Sequence, residues 1–518
     1  MNISTESPDF RLTKIIATLG PASGTPEMIL KLIENGVRVF RLNFSHGTFS
    51  DHDRMIEIVR KAEKDTGVHV AILGDLSGPK IRVGQVVKGG IMLETGSELQ
   101  IEKGDVLAGS PGFEDVFSST FPSFISEVKI GEKILLDDGN VELKVLEKTG
   151  RGEGAAIRCE VVVGGLITSS KGINLPDSDL SVDALTEKDV RCVHYAVERE
   201  LDYLALSFVR RGEDLKKLKD LLVKLGARPK RIEAIPASRS SVFPPVDINN
   251  LIPVICKIEK PQAIKNLEEI LEETDGVMVA RGDLGVEMDL AEVALLQKRI
   301  VHLCQDYGKP VIIATQMLQS MIESAVPTRA EVSDIANAIF DGADALMLSG
   351  ETAMGKYPVQ AAAMMNKVAD KTNAFIKEET IKIGGAILKP EHSKRTLAIA
   401  EGVKRIAEQV QPKFIVVWTN WGGSAIYLSQ LRLPVPILAF TSTKKRLRLL
   451  TILFGVKPIY HEQPESGSTF IRAIDKLLLK RKWAQKNDPI IVVSGDPITR
   501  TGLANRIVVH YVGEGVEN

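Results

Sequence analysis

The stretch VRVFRLNFSHG, residues 37–47, begins as a run rich in Val and ends in polar side chains that include Arg41, Asn43 and Ser45. A short run of this kind is typical of a β-strand that is buried on both faces. The same pattern recurs along the chain. The other seven runs are TKIIATLG (13–20), VHVAILGDLSG (68–78), DYLALSFVR (202–210), PVICKIEKP (253–261), DGVMVARGDLG (275–285), KPVIIATQM (309–317) and DALMLSGET (344–352).

Stretches with helical periodicity separate most of these runs. Apolar residues recur three and four positions apart in TPEMILKLIENG (25–36), LAEVALLQKRIVHLCQDYG (290–308) and RAEVSDIANAIFDG (329–342). Repeated strand–helix units of this number predict an α/β fold, a closed (β/α)8 TIM barrel. An open doubly wound sheet is the alternative.

Two breaks in the pattern predict further domains. Between residues 84 and about 170 the helical period disappears, and runs such as GEKILLDDGNVELKVLE (131–147) are typical of β-strands. A second break near residues 374–395 precedes the apolar runs FIVVWTN, VPILAFTS, DPIIVVSGD and RIVVHYV. The predicted organisation is a barrel in two parts (1–83 and 171–375), an inserted small β-barrel cap domain (84–170) and a C-terminal α/β domain (376–518).

Charge and cysteine content restrict the classes of partner. The 518 residues include 66 basic and 67 acidic side chains, so no overall field attracts nucleic acid or an anionic membrane. We therefore expect small molecules or further copies of the chain as partners, with no nucleic acid and no membrane. No apolar run approaches the roughly 18 residues of a membrane span. The N-terminal stretch lacks the apolar segment of a signal peptide, and the four cysteines are widely spaced, so we expect a cytoplasmic protein.

Polar side chains at the strand ends form the candidate site, because active sites of such barrels lie where strands end. Glu259 and Asp283, from neighbouring strands, suit an octahedral divalent cation that keeps positions open for substrate oxygens. Arg41 and Lys257 add positive charge, so the pattern predicts a site for a phosphorylated anion. Taken singly, each residue has a simpler interpretation, such as a solvated lysine, a helix-capping acid or a turn former. The seven candidates are Arg41, Lys257, Glu259, Asp283, Thr315, Ser349 and Glu351.

Six motifs, in order along the chain, resemble the pyruvate kinase family. They are TKIIATLGPAS (13–23), RLNFSHG (41–47), CKIE (256–259), ARGDLG (280–285), ATQML (314–318) and SGETA (349–353). The resemblance implies phosphoryl transfer from phosphoenolpyruvate to ADP, giving ATP and pyruvate, in the final step of glycolysis. It also implies Mg²⁺ or Mn²⁺ as cofactor, a homotetramer and allosteric control through the C-terminal domain.

The resemblance further implies a role for each matched position. Arg41 would bind the transferring phosphoryl group, Lys257 would neutralise its charge, and Glu259 with Asp283 would hold the magnesium ion. Backbone N–H groups of Gly282 and Asp283, with the Thr315 hydroxyl, would bind the substrate carboxylate. The residues implied for proton delivery are Thr315, Ser349 and Glu351, and those implied for nucleotide binding are Arg41, His46, Arg82 and Lys171.

The stretch LSGPKIR (76–82) departs from the family pattern TKGPEIR. Family members bind potassium through an Asn, a Ser, an Asp and a Thr carbonyl, and the matching positions are Asn43, Ser45, Asp75 and Leu76. Lys80 places an ammonium where the family has a carboxylate, which resembles the potassium-independent branch. Our hypothesis is that Lys80 acts catalytically in place of the ion, so that K⁺ is not required. The alternative is a neutral exchange with the cation retained.

Two further segments have open interpretations. The Gly-rich stretch TNWGGSA (419–425) and the basic stretch TSTKKRLR (441–448) suit a sugar-phosphate effector site, and a solvated basic face is the alternative. The Pro-rich segment 229–253 is longer than is usual for the family. It is expected to be a surface excursion, either a disordered decoration or an interface.

Two other functions fit parts of the pattern. A metal-dependent lyase or aldolase that forms an enolate would share the Glu259–Asp283 pair but would need neither a nucleotide cap nor Lys171. A catalytically silent sugar-phosphate sensor predicts damage at Lys257, Glu259, Asp283 or Thr315, and the sequence shows none.

Overall fold

The computed structural model describes residues 10–150, 155–228, 251–379, 394–499 and 504–514. Eight parallel strands close into a barrel in which each strand pairs with its chain neighbours and the last pairs with the first. This confirms the predicted closed barrel. Its strands are Lys14–Thr18, Val37–Asn43, Ala71–Leu76, Tyr203–Leu206, Val254–Ile258, Gly276–Ala280, Val311–Ala314 and Ala345–Leu348.

Helices cover the outside of the barrel and bury the second face of each strand. Capping boxes at Thr48, Thr186 and Thr328 begin three of them, because a hydroxyl and an acid three residues later satisfy free backbone N–H groups. The longer helices are Pro26–Glu34, Phe49–Thr66, Glu187–Glu198, Gly212–Lys224, Leu290–Asp306, Arg329–Asp341 and Pro358–Glu378. The shorter ones are Pro261–Lys265, Leu267–Glu273, Arg281–Glu287, Gly350–Ala353 and the 3₁₀ turn Gln319–Ile322.

A β-rich domain is inserted after the third barrel strand, as predicted, and it has its own apolar core. Among its described residues, six strands form one sheet and four form two-stranded ribbons. Arg82 bridges Gly172 beside one edge strand of that sheet and Val83 bridges Ser119 beside the other, so the sheet closes into the expected small β-barrel. The sheet contains Glu98–Glu102, Val116–Ser118, Lys133–Leu136, Val141–Thr149, Ala156–Val163 and Ile173–Asn174. The ribbons pair Gln85–Val86 with Leu107–Ala108 and Ile91–Leu93 with Gly165–Ile167, and one short helix spans Phe124–Glu127.

The C-terminal α/β domain is built on a five-stranded sheet, four strands of which are parallel. The predicted strands are present, and a further strand, Val456–Tyr460, lies at the sheet edge. The other strands are Phe414–Trp418, Ile437–Thr441, Pro489–Ser494 and Arg506–Tyr511. The helices are Lys394–Val410, Gly423–Gln430, Lys444–Leu449 and Gly467–Lys480, and a 3₁₀ turn spans Leu450–Ile452.

The C-terminal domain packs against the amino-terminal ends of the barrel strands. Arg432 forms a fully buried ion pair with Asp344, which directly precedes the last barrel strand (2.6 Å). Arg448 pairs with Glu63 (2.7 Å). This leaves the opposite, carboxyl-terminal ends of the strands open beside the inserted domain.

Among the residues described above, no helix is long and apolar enough to cross a membrane. Most of the Pro-rich segment 229–253 lies outside the described residues, which resume at 251.

Candidate active site

Lys257 lies at the centre of the polar cluster at the carboxyl ends of the strands. Its ammonium donates to the Ser207 hydroxyl (2.7 Å) and pairs with Glu259 (2.7 Å) and Asp75 (3.4 Å). Burial opposes the charge on this side chain, but Asp75, Glu259 and Asp283 outweigh that effect and raise the pKa of Lys257 above its usual value. The site therefore contains a permanently charged ammonium that is only 9% exposed.

Arg41 supplies a second cation through its contacts with Asp75. Its Nε and Nη2 atoms lie 2.7 and 2.6 Å from Asp75 Oδ2, and its Nη1 donates to the Thr18 hydroxyl (3.2 Å). Burial alone would raise the pKa of Asp75, but Lys257 and Arg41 together lower it below its usual value. Asp75 is thus an ionised residue that orients both cations.

Glu259 and Asp283 are the two carboxylates that could hold a metal. Asp283 is exposed to solvent. Desolvation by the surrounding protein, together with the charge of Glu259, raises the pKa of Asp283 to about 6. A divalent cation between the two would relieve that repulsion, so the donor set fits magnesium or manganese. The described parts of the chain contain no group of three or more His, Cys, Asp or Glu that could hold a metal.

One predicted position needs correction. Asp283 was expected to end the sixth barrel strand, but that strand ends at Ala280 and Asp283 lies in the first turn of the helix Arg281–Glu287. The two glycines of ARGDLG suggest a turn, whereas the backbone continues directly into a helix.

The backbone after the seventh strand is strained at the candidate carboxylate site. Thr315 (φ 67°) and Gln316 (φ 54°) both adopt the left-handed conformation, which is costly for a β-branched residue such as Thr. The Gly282 N–H donates to the Thr315 hydroxyl (2.7 Å), which in turn donates to the Ala314 carbonyl (2.6 Å). Arg281 donates to the Thr315 carbonyl (2.9 Å) and so holds the strained turn in place.

Ser349 and Glu351 follow the eighth strand. The Glu351 carboxylate accepts from the backbone N–H groups of Leu318 (3.0 Å) and Ser349 (2.7 Å), and only 1% of the residue is exposed. The Ser349 hydroxyl is buried and makes no hydrogen bond to any described residue. Glu351 therefore fixes the backbone, and the Ser349 hydroxyl is the atom left to interact with a bound molecule.

Two of the four predicted nucleotide-binding residues, Arg82 and Lys171, lie where the inserted domain joins the barrel, whereas Arg41 and His46 belong to the second barrel strand and the turn after it. Arg82 donates to the Ser170 carbonyl (2.6 Å), and Lys171 pairs with Asp137 of the inserted domain (2.7 Å). Partial burial and nearby cations lower the pKa of His46. These cations are Lys80, Lys188, Arg41 and Arg82, of which Lys188 was not predicted. In the sequence, Lys188 is distinguished only by its position near the start of a helix.

Protein groups already contact each of the four potassium-site positions. The Asn43 amide oxygen accepts from the Ser45 N–H (3.1 Å), and the Ser45 hydroxyl donates to Ser77 (3.1 Å). The Leu76 carbonyl accepts from the Ser207 hydroxyl (2.7 Å). The fourth position, Asp75, binds the two cations described above.

Comparison with known families agrees with this geometry. The family described as pyruvate kinase, barrel domain, matches residues 10–240 and 246–362, and pyruvate kinase, alpha/beta domain, matches residues 397–510. The chain belongs to the pyruvate kinase family. Pyruvate kinases are phosphotransferases, and the barrel, inserted domain and C-terminal domain seen here have that family's arrangement.

Individual pyruvate kinases are similar over nearly the full length. The chain is 38% identical over 504 residues to pyruvate kinase of Mycobacterium intracellulare, covering 97% of this chain and 99% of that one. It is 39% identical to pyruvate kinase 2 of Synechocystis sp., covering 98% of this chain and 81% of that one. A crystal structure of a pyruvate kinase from Cryptosporidium parvum superposes with a TM-score of 0.83 at 31% identity, covering 98% and 99% of the two chains.

Proposed function

We propose that this protein is an active pyruvate kinase that transfers the phosphoryl group of phosphoenolpyruvate to ADP, giving ATP and pyruvate. The observation that carries the proposal is the position of the Lys257 ammonium between Asp75 and Glu259, with Arg41 on the other side of Asp75. Phosphoryl transfer has a loose transition state and depends on alignment and charge neutralisation. Two oriented cations, the buried Lys257 and the partly buried Arg41, supply both.

Each part of the reaction has its own residues. Lys257 and Arg41 would bind the phosphoryl oxygens and neutralise charge during transfer. A divalent cation, Mg²⁺ or Mn²⁺, held by Glu259 and Asp283 would supply the further positive charge that transfer requires. Because their oxygens repel one another when no cation is bound, these two carboxylates favour such an ion.

The substrate carboxylate and the proton are assigned to the turn after the seventh strand. Backbone N–H groups at Gly282 and Asp283, with Thr315, would bind the carboxylate. The Gly282 N–H now donates to Thr315, so substrate would compete for this donor. The buried Ser349 hydroxyl, on the backbone that Glu351 fixes, would lie with Thr315 on the path that delivers a proton to the enolate.

The nucleotide is assigned to the cleft below the inserted domain. His46, Arg82 and Lys171, together with Arg41, would bind its phosphates, since Arg82 and Lys171 lie where this domain returns to the barrel. Closure of the inserted domain over the nucleotide would exclude water, which otherwise hydrolyses the reacting phosphate.

A coupled assay tests the proposal. With lactate dehydrogenase and NADH present, turnover should require phosphoenolpyruvate, ADP and a divalent cation together, and omission of any one should abolish NADH oxidation. Pyruvate formed without ADP would favour an enolate-forming lyase instead. Absence of turnover, with sugar-phosphate binding retained, would favour the silent sensor.

Potassium independence is a finer part of the proposal. The four potassium-site positions are engaged by protein groups, and Lys80 places a positive charge close enough to act on Lys257 and Asp283. In tetramethylammonium buffer free of sodium, we expect added K⁺ to raise turnover by less than about twofold, because the Lys80 ammonium would already supply the positive charge. The Lys80→Glu variant should instead lose about tenfold or more without K⁺ and recover when it is added. Strong activation of the unmodified protein by K⁺ would reject this assignment.

The homotetramer and the allosteric sugar phosphate also remain proposals. At the candidate effector site, basic side chains of the stretch 441–448 form ion pairs with acidic residues of the barrel domain. Lys445 pairs with Asp202 (3.4 Å), Arg448 pairs with Glu63, and Arg446 is buried. The stretch is therefore not the solvated basic face that was one alternative, and these contacts leave few of its cations for an effector phosphate.

A further inference from the structure

The residue that follows the fourth barrel strand contacts the central lysine directly. Ser207 comes immediately after Tyr203–Leu206 and is 6% exposed. Its oxygen lies 2.7 Å from Lys257 Nζ and 2.7 Å from the Leu76 carbonyl oxygen. A serine hydroxyl has one proton to donate, and a carbonyl oxygen can only accept. The Leu76 carbonyl is closer to the Ser207 hydroxyl than the other acceptor, Asp75 Oδ1 (3.5 Å), so the proton is directed to Leu76 and a lone pair faces the Lys257 ammonium.

This arrangement determines where the ammonium can lie. Lysine carries its charge on a flexible four-carbon stem, and its three N–H donors rotate freely. Two of its partners here are the carboxylates of Glu259 and Asp75, which attract it toward the acidic side of the pocket. Ser207 is the uncharged partner, and it accepts a hydrogen bond from the ammonium without changing the charge of the site. If it were absent, the ammonium would be free to move closer to the carboxylates.

The next residue positions the neighbouring carboxylate. The Phe208 backbone N–H donates to Glu259 Oε2 (2.9 Å), and Phe208 has a left-handed conformation (φ 63°), which is an outlier for a bulky side chain. The Lys260 ammonium lies 4.6 Å from the centre of its ring and stabilises that conformation. Consecutive residues of one strained turn thus contact both Lys257 and Glu259.

We propose that Ser207 is a positioning residue for phosphoryl transfer, which holds the Lys257 ammonium where the transferring group will pass. This inference rests on the proposed function, since it assigns Lys257 to the reacting phosphoryl group. Ser207 acts through Lys257 and does not itself contact the substrate. Its loss should therefore change the rate of transfer more than the binding of phosphoenolpyruvate.

Ser207→Ala is the principal test. We expect kcat to fall on the order of 10- to 100-fold, because small displacements of a catalytic group have effects of this size, with KM for phosphoenolpyruvate within about threefold. Ser207→Thr keeps the hydroxyl and should recover a substantial part of kcat. Steady-state kinetics measure both quantities, and thermal unfolding monitors the fold.

Ser429→Ala is the matched control. Ser429 is a fully buried serine of the C-terminal domain, and it donates to the Phe454 carbonyl (2.8 Å) as Ser207 does to Leu76. Both alanine variants lose a hydrogen bond of the same kind, and only Ser207→Ala should lower kcat. A kcat for Ser207→Ala within about twofold of the unmodified protein would overturn the proposal. So would an equal loss of kcat in both variants.

Failure of the inference can be told apart from failure of the proposed function. If Lys257→Ala abolishes turnover while Ser207→Ala does not reduce it, only the positioning role is rejected. If Lys257→Ala itself keeps full turnover, the assigned mechanism is wrong, and the positioning role of Ser207, which acts through Lys257, is rejected with it.

Discussion

Lys257→Ala is expected to lose on the order of a thousandfold or more in kcat, because it removes a preorganised charge from a site enclosed by protein. The Lys257 ammonium contacts all three of its polar neighbours, Asp75, Glu259 and Ser207. Its removal would leave Arg41 as the cation paired with Asp75, and the pKa of Asp75, which Lys257 and Arg41 lower, should rise. The coupled assay with phosphoenolpyruvate and ADP measures the loss.

A second lysine, which is partly buried, separates catalysis from stability in this test. Lys309 lies beside the amino-terminal end of a barrel strand and donates to the Thr274 carbonyl (2.7 Å). Lys309→Ala removes the same stem and charge from the opposite end of the barrel, so it should change thermal stability without a comparable effect on kcat. Near-full turnover of a folded Lys257→Ala variant would contradict the mechanism.

The barrel was predictable because its strands carry an unusually simple signal. Strands covered on both faces, such as Val254–Ile258, are apolar at almost every position and stand out as continuous runs. The strand Val456–Tyr460 lacks this signal. It lies at the edge of its sheet, is mostly only half-buried and contains Pro458, which is tolerated there because an edge strand has an unpaired side.

The charged residues of the site could be predicted from the sequence, whereas its uncharged contacts could not. Lys257 and Glu259 attract attention because charges at strand ends are costly to bury. Ser207 does not, since a serine after a strand is ordinarily a turn former. The basic stretch 441–448 shows a further limit, because its partners Asp202 and Glu63 are distant in sequence and nothing in the local pattern indicates them.

The largest effect on stability is expected from the buried pair between the domains, Arg432 and Asp344, neither of whose side chains is exposed. Arg432 donates to both Asp344 oxygens and to the carbonyls of Gly342 and Ser429. Asp344 also accepts from the backbone N–H of Phe454 (3.1 Å). Removing one partner of such a pair leaves an uncompensated buried charge, which costs about 3 to 5 kcal/mol.

Arg432→Leu should therefore lower the thermal midpoint by on the order of 5 to 15 °C, as measured by calorimetry. The control is Arg405→Leu, which removes a pair with Glu408 that is largely exposed, and such pairs contribute about 1 kcal/mol or less. Adding Asp344→Asn to Arg432→Leu should recover part of the loss, because the double variant no longer leaves Asp344 as a buried charge without its arginine. Equal thermal midpoints for Arg432→Leu and Arg405→Leu would contradict the argument that the Arg432–Asp344 pair stabilises the interface. So would a double variant that is less stable than Arg432→Leu by about a further 3 to 5 kcal/mol, since the two charges would then act independently.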